Sequence, residues 1–537
     1  MNTAPAAAES YDTIVVGGGV AGLTSAAYLS RAGKRVLLIE KNRECGGLVN
    51  TFAHNGFRFD AGVRALEDAG IVFPMLQDLG IQMEVVKSPV SVGVEKEILH
   101  IRDRGSLRDY RDMLARIYPE SAREIDEAIT LIGKIMKHMD VLYGVENPVF
   151  KDMKRDREFL MKQLLPWLPK FLLTVRKINR LSTPVEDTLE NIIRNPSLRD
   201  IIAQHFFKGT PTFFALSYFS LYLDYFYPKG GVGALAEGLA NKIRKEGGEI
   251  RTETTVTELF ANEHTIKDDT GSTFAYDTLI WAADLKALYQ RSRTEGLRER
   301  EKSRIAAVKQ SMLKGRGSES VFSLFLEVNV PLETFREIAH GHFFYTPSKR
   351  GLRGTHQEGL QELLGKWEQT GREKVFSWLD AFTEYNTFEI SIPGLKYPDM
   401  APPGQSGLVV SLLAEYDLFA RVRDAGWLEE FTDGLEARIV RVLSESVFPM
   451  LKDNIIEKFS FSPLSIEKRI GSSEGAIVGW SFAEPLPVLH KIQQAGRAVL
   501  TPIPDVFQAG QWAYSPGGVP MSILTGKLAA DRVLRKR

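Results

Sequence analysis

Thr13-Ile14-Val15-Val16-Gly17-Gly18-Gly19-Val20-Ala21-Gly22 is the stretch on which the fold turns. Its four β-branched residues predict a buried strand, and Gly17, Gly19 and Gly22 follow at once in G-x-G-x-x-G spacing. A helix is predicted from about Leu23 to Arg31, with Leu23, Ala26, Ala27 and Ser30 on one face and Gly33 at its end. Arg35-Val36-Leu37-Leu38-Ile39 reads as a second strand, closed by Glu40. Strand, glycines, helix, strand and acid in this order mark a Rossmann-type dinucleotide site. Gly17 permits the tight turn, Gly19 lets backbone amides approach a pyrophosphate, and Gly22 lets the helix pack close to the sheet. The diphosphate then sits at the positive end of the helix, with the amides of Val20 and Ala21 beside it, and Glu40 accepts from a ribose hydroxyl.

Glu44-Cys45-Gly46-Gly47-Leu48 comes next, and then Gly56-Phe57-Arg58-Phe59-Asp60-Ala61-Gly62. The run of acid, Gly-Gly and aromatic-Asp-x-Gly resembles FAD-binding flavoproteins of the amine oxidase and phytoene desaturase superfamily. The resemblance implies FAD as the cofactor. Four later segments extend it. Tyr227-Pro228-Lys229-Gly230-Gly231-Val232-Gly233 leads into a helix expected over Ala236 to Lys245. Strands follow at Gly247 to Arg251 and Thr255-Val256-Thr257, and Asp277 to Asp284 is a further strand. Val506 to Met521, with Ser515-Pro516-Gly517-Gly518, precedes a helix expected over Ser522 to Leu534. A helix start aimed at the flavin pyrimidine stabilises the negative charge of the reduced ring.

From end to end the chain resembles the phytoene desaturase, carotenoid cis–trans isomerase and retinol saturase family, most strongly over 11–64, 227–284 and 461–535. The fold class implied is α/β: a Rossmann-type, amine-oxidase-like (GR2) FAD domain interleaved with an α+β substrate domain. The FAD domain is expected at 1–100, 227–300 and 456–537, and the substrate and membrane-facing domain at 101–226 and 301–455. The resemblance also implies cofactor contacts at Lys41, at Gly46, Gly47 and Leu48, and at Gly62, Val63 and Arg64. Further contacts are implied at Val256, Ala282 and Gly510, and at Val519, Pro520 and Met521. Leu48 departs from the Arg of amine oxidase relatives, and Arg64 from the small hydroxyl residue of desaturases. Arg64 and Tyr514 are the candidate catalytic residues near the flavin.

Among the 537 residues, 68 Lys+Arg balance 68 Asp+Glu, which argues against a nucleic-acid partner. The single cysteine, Cys45, excludes internal disulfides and thiolate metal clusters, and reads as a small buried residue. His340-Gly341-His342 is the one close pair among nine histidines; it reads as a loop, and no metal site is expected. No signal peptide and no run of about 18 apolar residues is read, so the expected location is the cytoplasm, with peripheral contact on the inner face of the membrane.

Two stretches of the substrate half stand out. Residues 151–180 carry nine Lys or Arg, the apolar Phe159, Leu165, Trp167, Leu168, Phe171 and Leu172, and two prolines, Pro166 and Pro169, expected to break the segment into short pieces. Such a basic, Trp-bearing amphipathic segment suits an anionic membrane surface. The stretch from His205 to Tyr227 is crowded with rings, half of which ordinary packing explains; the rest suit a tunnel for an unsaturated hydrocarbon. The function expected is FAD-dependent oxidation at C–H or C=C bonds of an apolar isoprenoid, with desaturation favoured. Carotenoid isomerisation, retinol-saturase-like reduction, amine oxidation and a non-catalytic FAD-carrying subunit stay open. The electron acceptor is a quinone, oxygen or a partner protein, since no second dinucleotide motif is read. Homo- and hetero-oligomers are both compatible with the sequence.

Overall fold

Thr13–Val16 is buried on both faces, which is why its apolar run does not alternate. In the computed structural model, which describes residues 9–151, 156–352 and 359–536, this run ends the strand Glu9–Val16. Val36–Ile39 and Thr273–Trp281 flank it in parallel, and Glu249–Arg251 extends the sheet beside Val36–Ile39. Thr273–Trp281 is long enough to serve two neighbours. Its first half pairs antiparallel with Thr265–Asp268, and its second half pairs parallel with Val506–Gln508. The last strand of the sequence thus lies beside the first domain's core.

The helices Val20–Arg31, Gly233–Lys245 and Val519–Arg535 share one buried cluster against this sheet. Each begins about three residues before the predicted start. The N-caps of the first and last are Gly19 and Gly518, so Val20 and Val519 are already helical. The two helices lie very close: a Cβ on Gly526 would meet the Ala21 carbonyl at 2.4 Å, and Ser25 Oγ donates to the Gly526 carbonyl at 3.0 Å.

A second sheet runs in the order Ile455–Phe461, Ser320–Val328, Ser406–Ala414, Phe388–Ser391, His342–Thr346, Val90–Val94 and Glu97–Ile101. Sheet membership therefore draws a line different from the one the resemblance implied. Residues 90–101 and 455–461 belong with the substrate half, whereas the expected boundaries stood at 100 and 456. Their hydrogen bonds run to Ser320–Val328 and His342–Thr346, which sequence patterning does not reveal.

Side-chain alternation gives this sheet two unlike faces. Leu324, Leu326, Phe343, Ile390 and Val410 point to the helices Arg372–Tyr385 and Leu428–Ser446. Alternate positions put Ser323, Ser411, Glu389 and Phe344 on the other face. Pairing sets them in one row, Phe344 opposite Glu389, Glu389 opposite Ser411, and Ser411 opposite Ser323. The helical insert, with Ser106–Ile117, Ala122–Leu142 and Thr212–Leu221, packs around a third core.

Candidate active site

The glycines of the first turn are constrained as their roles require. Gly17 has φ +106°, and a Cβ there would lie 2.8 Å from the Ala282 carbonyl. At Gly22 an added Cβ would lie 1.9 Å from the Gly17 carbonyl, while at Gly19 it would meet nothing within 4 Å, because Gly19 fronts a cavity. No side chain caps the helix that starts at Val20. Its first amides are left for a ligand, in the positive field of the helix end. Glu40 is buried at the end of the second strand; Oε2 accepts from the Gly18 amide at 2.7 Å and Oε1 from the Asn42 amide and Nδ2, each at 2.9 Å.

The helix Val519–Arg535 also lacks a side-chain cap, and its start faces the same cavity of about 1040 Å³. Gly17, Gly19, Val20, Ala21, Glu40 and Lys41 line this cavity at one end. Gly46, Gly47 and Leu48 border it, as do Gly62, Val63 and Arg64. Val256, Ala282, Gly510, Tyr514 and the three residues Val519, Pro520 and Met521 complete the predicted set there. Gly22 alone stands behind the wall, as the packing glycine. Asp60 explains why an acid precedes Gly62: its carboxylate accepts from Tyr227 Oη at 2.6 Å and the Val232 amide at 3.0 Å, pinning the re-entering chain.

Beyond Gly62 the cavity becomes polar, then aromatic. Arg64 is buried; its guanidinium donates to the Asp60 carbonyl, to Ser323 Oγ at 3.1 Å and to Ser411 Oγ at 2.9 Å. Lys396 Nζ donates to the Arg64 carbonyl at 2.7 Å and to Ser391 Oγ at 2.8 Å. Burial pushes this ammonium down to about 7. Glu389 lines the cavity, with Oε1 3.0 Å from His342 Nε2. Burial alone would raise its carboxyl, but His342, Arg64 and Lys396 more than offset that and hold it below the usual carboxylate range. Glu67, also on the cavity, is pushed up to about 7 by burial and by the charges of Asp224 and Glu389.

Farther on, Phe206, Phe207, Phe213, Phe214 and Tyr218 line the chamber. Phe219, Tyr222 and Tyr227 instead pack in the cores, so the aromatic stretch divides between tunnel and core. The chamber reaches Leu164, Leu165, Trp167, Leu168 and Phe171. Leu165 and Leu168 are exposed to the outside as well, which makes this helix the rim of an opening. The prolines do not break it: the chain stays helical from Arg157 to Ile178, and a π turn over Leu160–Leu164 precedes Pro166. A wider turn lets the ladder pass residues that have no amide to donate. Residues 152–155 of the expected basic segment lie outside the described residues.

A family model described as flavin containing amine oxidoreductase matches residues 20–534. The chain belongs to that family. Its cofactor is FAD, and it is an FAD-dependent oxidoreductase. Among curated relatives, all-trans-retinol 13,14-reductase of Danio rerio is 22% identical across 98% of this chain and 86% of that protein. The 4,4'-diaponeurosporene oxygenase of Staphylococcus haemolyticus is 22% identical across 97% and 96%, and prolycopene isomerase 1 of an Oncidium hybrid cultivar 23% across 98% and 84%. An oxidoreductase from Methanosarcina mazei superposes with TM-score 0.62 at 16% identity, covering 98% of this chain and all of the other. Putrescine oxidase bound to putrescine gives 0.60 at 15%, covering 98% and 99%. At these identities the two structures show the shared fold.

The flavoprotein's residues fit FAD. The Gly19, Val20 and Ala21 amides would take the diphosphate, Glu40 the adjoining sugar, and the start of Val519–Arg535 the flavin pyrimidine. Tyr514 is on the cavity wall, but its hydroxyl donates to the His490 carbonyl at 3.0 Å and burial raises it further, so it presents a ring rather than an acid. Cys45 is half-buried, and burial pushes its thiol up to about 12, as suits a packing residue.

His342 departs from the loop reading. It opens the strand His342–Thr346, is buried, and faces Glu389. Sequence reasoning missed Glu67, His342 and Glu389, whose one sign is a polar residue at alternate positions of otherwise apolar strands. Among the described residues, His54, Glu327 and Glu457 also converge; His54 Nδ1 lies 2.7 Å from Glu327 Oε1, and Asn55 Nδ2 donates to Glu457 at 2.6 Å.

Proposed function

We propose that this flavoprotein oxidises an apolar isoprenoid, a carotenoid or a smaller terpene, with desaturation of an allylic position as the favoured reaction. One observation carries the reading. A single cavity joins the dinucleotide cradle to an aromatic chamber that opens beside an exposed apolar helix. When bound, FAD supplies two-electron hydride chemistry. The chain's own residues orient the polyene between rings and exclude water, and burial stabilises it by about 25 cal/mol per Å² of apolar surface. A carotenoid or terpene tolerates positive charge by delocalisation, so few polar groups are needed.

Reduction is the second reading. It is favoured by the similarity to the retinol 13,14-reductases, which spans 98% of the chain. Amine oxidation has less support: Leu48 borders the cavity where amine oxidase relatives carry an Arg.

The opening also supports peripheral membrane contact on the cytoplasmic face. Met161, Leu172 and Leu173 are 62%, 50% and 58% exposed, beside the exposed Lys162, Lys170, Arg176 and Lys177. Leucines among lysines and arginines fit the interface of an anionic bilayer. Among the described residues, no helix is long and apolar enough to cross a membrane. Electrons leave to a quinone, oxygen or a partner protein.

The test is anaerobic mixing of the FAD-loaded protein with polyenes, terpenes and amines, following the flavin absorbance, with products identified by mass spectrometry. Bleaching by an isoprenoid, with a product lighter by two hydrogens, is expected. Bleaching by amines alone would refute the reading.

A further inference from the structure

Proton handling has no assigned residue so far: the Arg64 guanidinium donates to Asp60, Ser323 and Ser411, and the Tyr514 hydroxyl to His490. Glu389 is an acceptor that lines the cavity. It is the acid of the row Phe344, Glu389, Ser411 and Ser323, on the sheet face turned toward the cavity. Its side chain keeps 36% of its surface exposed, and Phe344, Phe206 and Tyr225 line the same cavity.

His342 contacts the carboxylate from the neighbouring strand and is itself packed between two rings, with ring centroids 5.1 Å from both Tyr225 and Phe344. Glu67 reaches the same cavity from the strand Leu66–Glu67, which pairs with Tyr225.

We propose that the Glu389 carboxylate, positioned by His342, accepts the proton that the isoprenoid loses. This rests on the isoprenoid reading above. The hydrogen on one carbon leaves as hydride, for which FAD is the two-electron oxidant. On the adjacent carbon the C–H bond breaks, its electron pair becomes the new π bond, and the proton forms an O–H bond to Glu389. Run backwards, the same carboxyl protonates a C=C bond, so the assignment serves desaturation and reduction alike.

The surrounding charges suit the division of labour. The charged and titratable groups that act on Glu389 are Arg64, Lys396, His342, His205 and Glu67, with the hydroxyls of Tyr218, Tyr222 and Tyr225. His342, Arg64 and Lys396 hold Glu389 below the usual carboxylate range, whereas burial and the charges of Asp224 and Glu389 push Glu67 up to about 7. Two carboxyls on one cavity whose surroundings push them in opposite directions suit acid–base chemistry.

FAD-loaded E389Q, E389D and H342Q proteins test the assignment, with E40A excluded because it affects cofactor binding. Polyene affinity is read from the polyene's absorbance shift, and single-turnover flavin bleaching is followed from acid to neutral pH. E389Q is expected to bleach at least about 100-fold more slowly than the natural protein while binding the polyene within about threefold of it. The fall in rate toward acid pH is expected to vanish in E389Q, and E389D to recover part of the rate. H342Q is expected to shift that acid limb while leaving affinity in place. Bleaching of E389Q at the natural rate would overturn the assignment. So would a loss of affinity that matches the loss of rate, since Glu389 would then anchor a polar end group. If the natural protein bleaches with no isoprenoid at all, the substrate reading fails and the proton acceptor falls with it.

Discussion

The Gly18 amide donates to Oε2 of Glu40 at 2.7 Å, so the acid that receives a sugar is held by the turn that receives the diphosphate. Removing the acid loosens both. E40A is expected to weaken FAD binding about tenfold or more, the worth of a hydrogen bond to a charged group. Flavin retained after dialysis against a dilution series of FAD measures this directly.

Gly19 and Gly22 separate binding from folding. In G22A the new methyl group falls 1.9 Å from the Gly17 carbonyl, and the helix must move away from the sheet. A loss of about 3 kcal/mol is expected, seen as a lower Tm in FAD-free protein. In G19A the methyl group meets nothing within 4 Å and projects into the cavity. Its FAD-free Tm should match the natural protein's, while FAD affinity falls.

Glu67 gives stability a pH slope of known sign. Its carboxyl titrates near 4.5 in the unfolded chain and is pushed up to about 7 when folded. Between these values the folded state holds the extra proton, so stability is greatest at the acid end and falls as pH rises toward 7. The full loss is about 3 kcal/mol. E67Q lacks this slope. Denaturant midpoints should therefore favour E67Q over the natural protein more at pH about 8 than at pH about 5. Equal differences at the two pH values would contradict the burial argument.

Leu172 and Leu173 are exposed and lie outside the cavity lining. L172S/L173S is expected to reduce sedimentation with phosphatidylserine vesicles by at least about tenfold, given about 1.5–3 kcal/mol for each buried leucine. FAD content should not change. Unaltered sedimentation would remove this helix from the membrane contact.

The dinucleotide end was legible because its chemistry is local. Val16, Gly17, Gly19 and Gly22 act within one turn, and Glu40 follows at the end of the very next strand, so spacing alone carries the geometry. The polar centre of the cavity was not legible. Glu67, His342, Glu389 and Ser411 come from four separate strands, and each looks ordinary beside its neighbours in sequence. Strand pairing sets Glu389 against Phe344 and Ser411, with His342 on the strand next to it, while Glu67 reaches the cavity from a separate sheet, and pairing register between distant strands leaves no local mark. The helix through Pro166 and Pro169 was misjudged for a related reason. Proline argues for a break when judged residue by residue, yet the preceding π turn and the packing of Trp167 on Phe171, with ring centroids 4.4 Å apart, keep the helix whole.

The contact of Gly526 with Ala21 has a consequence for synthesis of the chain. The glycine-rich turn precedes the strand Val506–Gln508 and the helix Val519–Arg535 by most of the length of the chain. Its β-α-β unit is therefore synthesised long before the elements that pack on it. The nucleotide cradle is complete only once these distant segments have met.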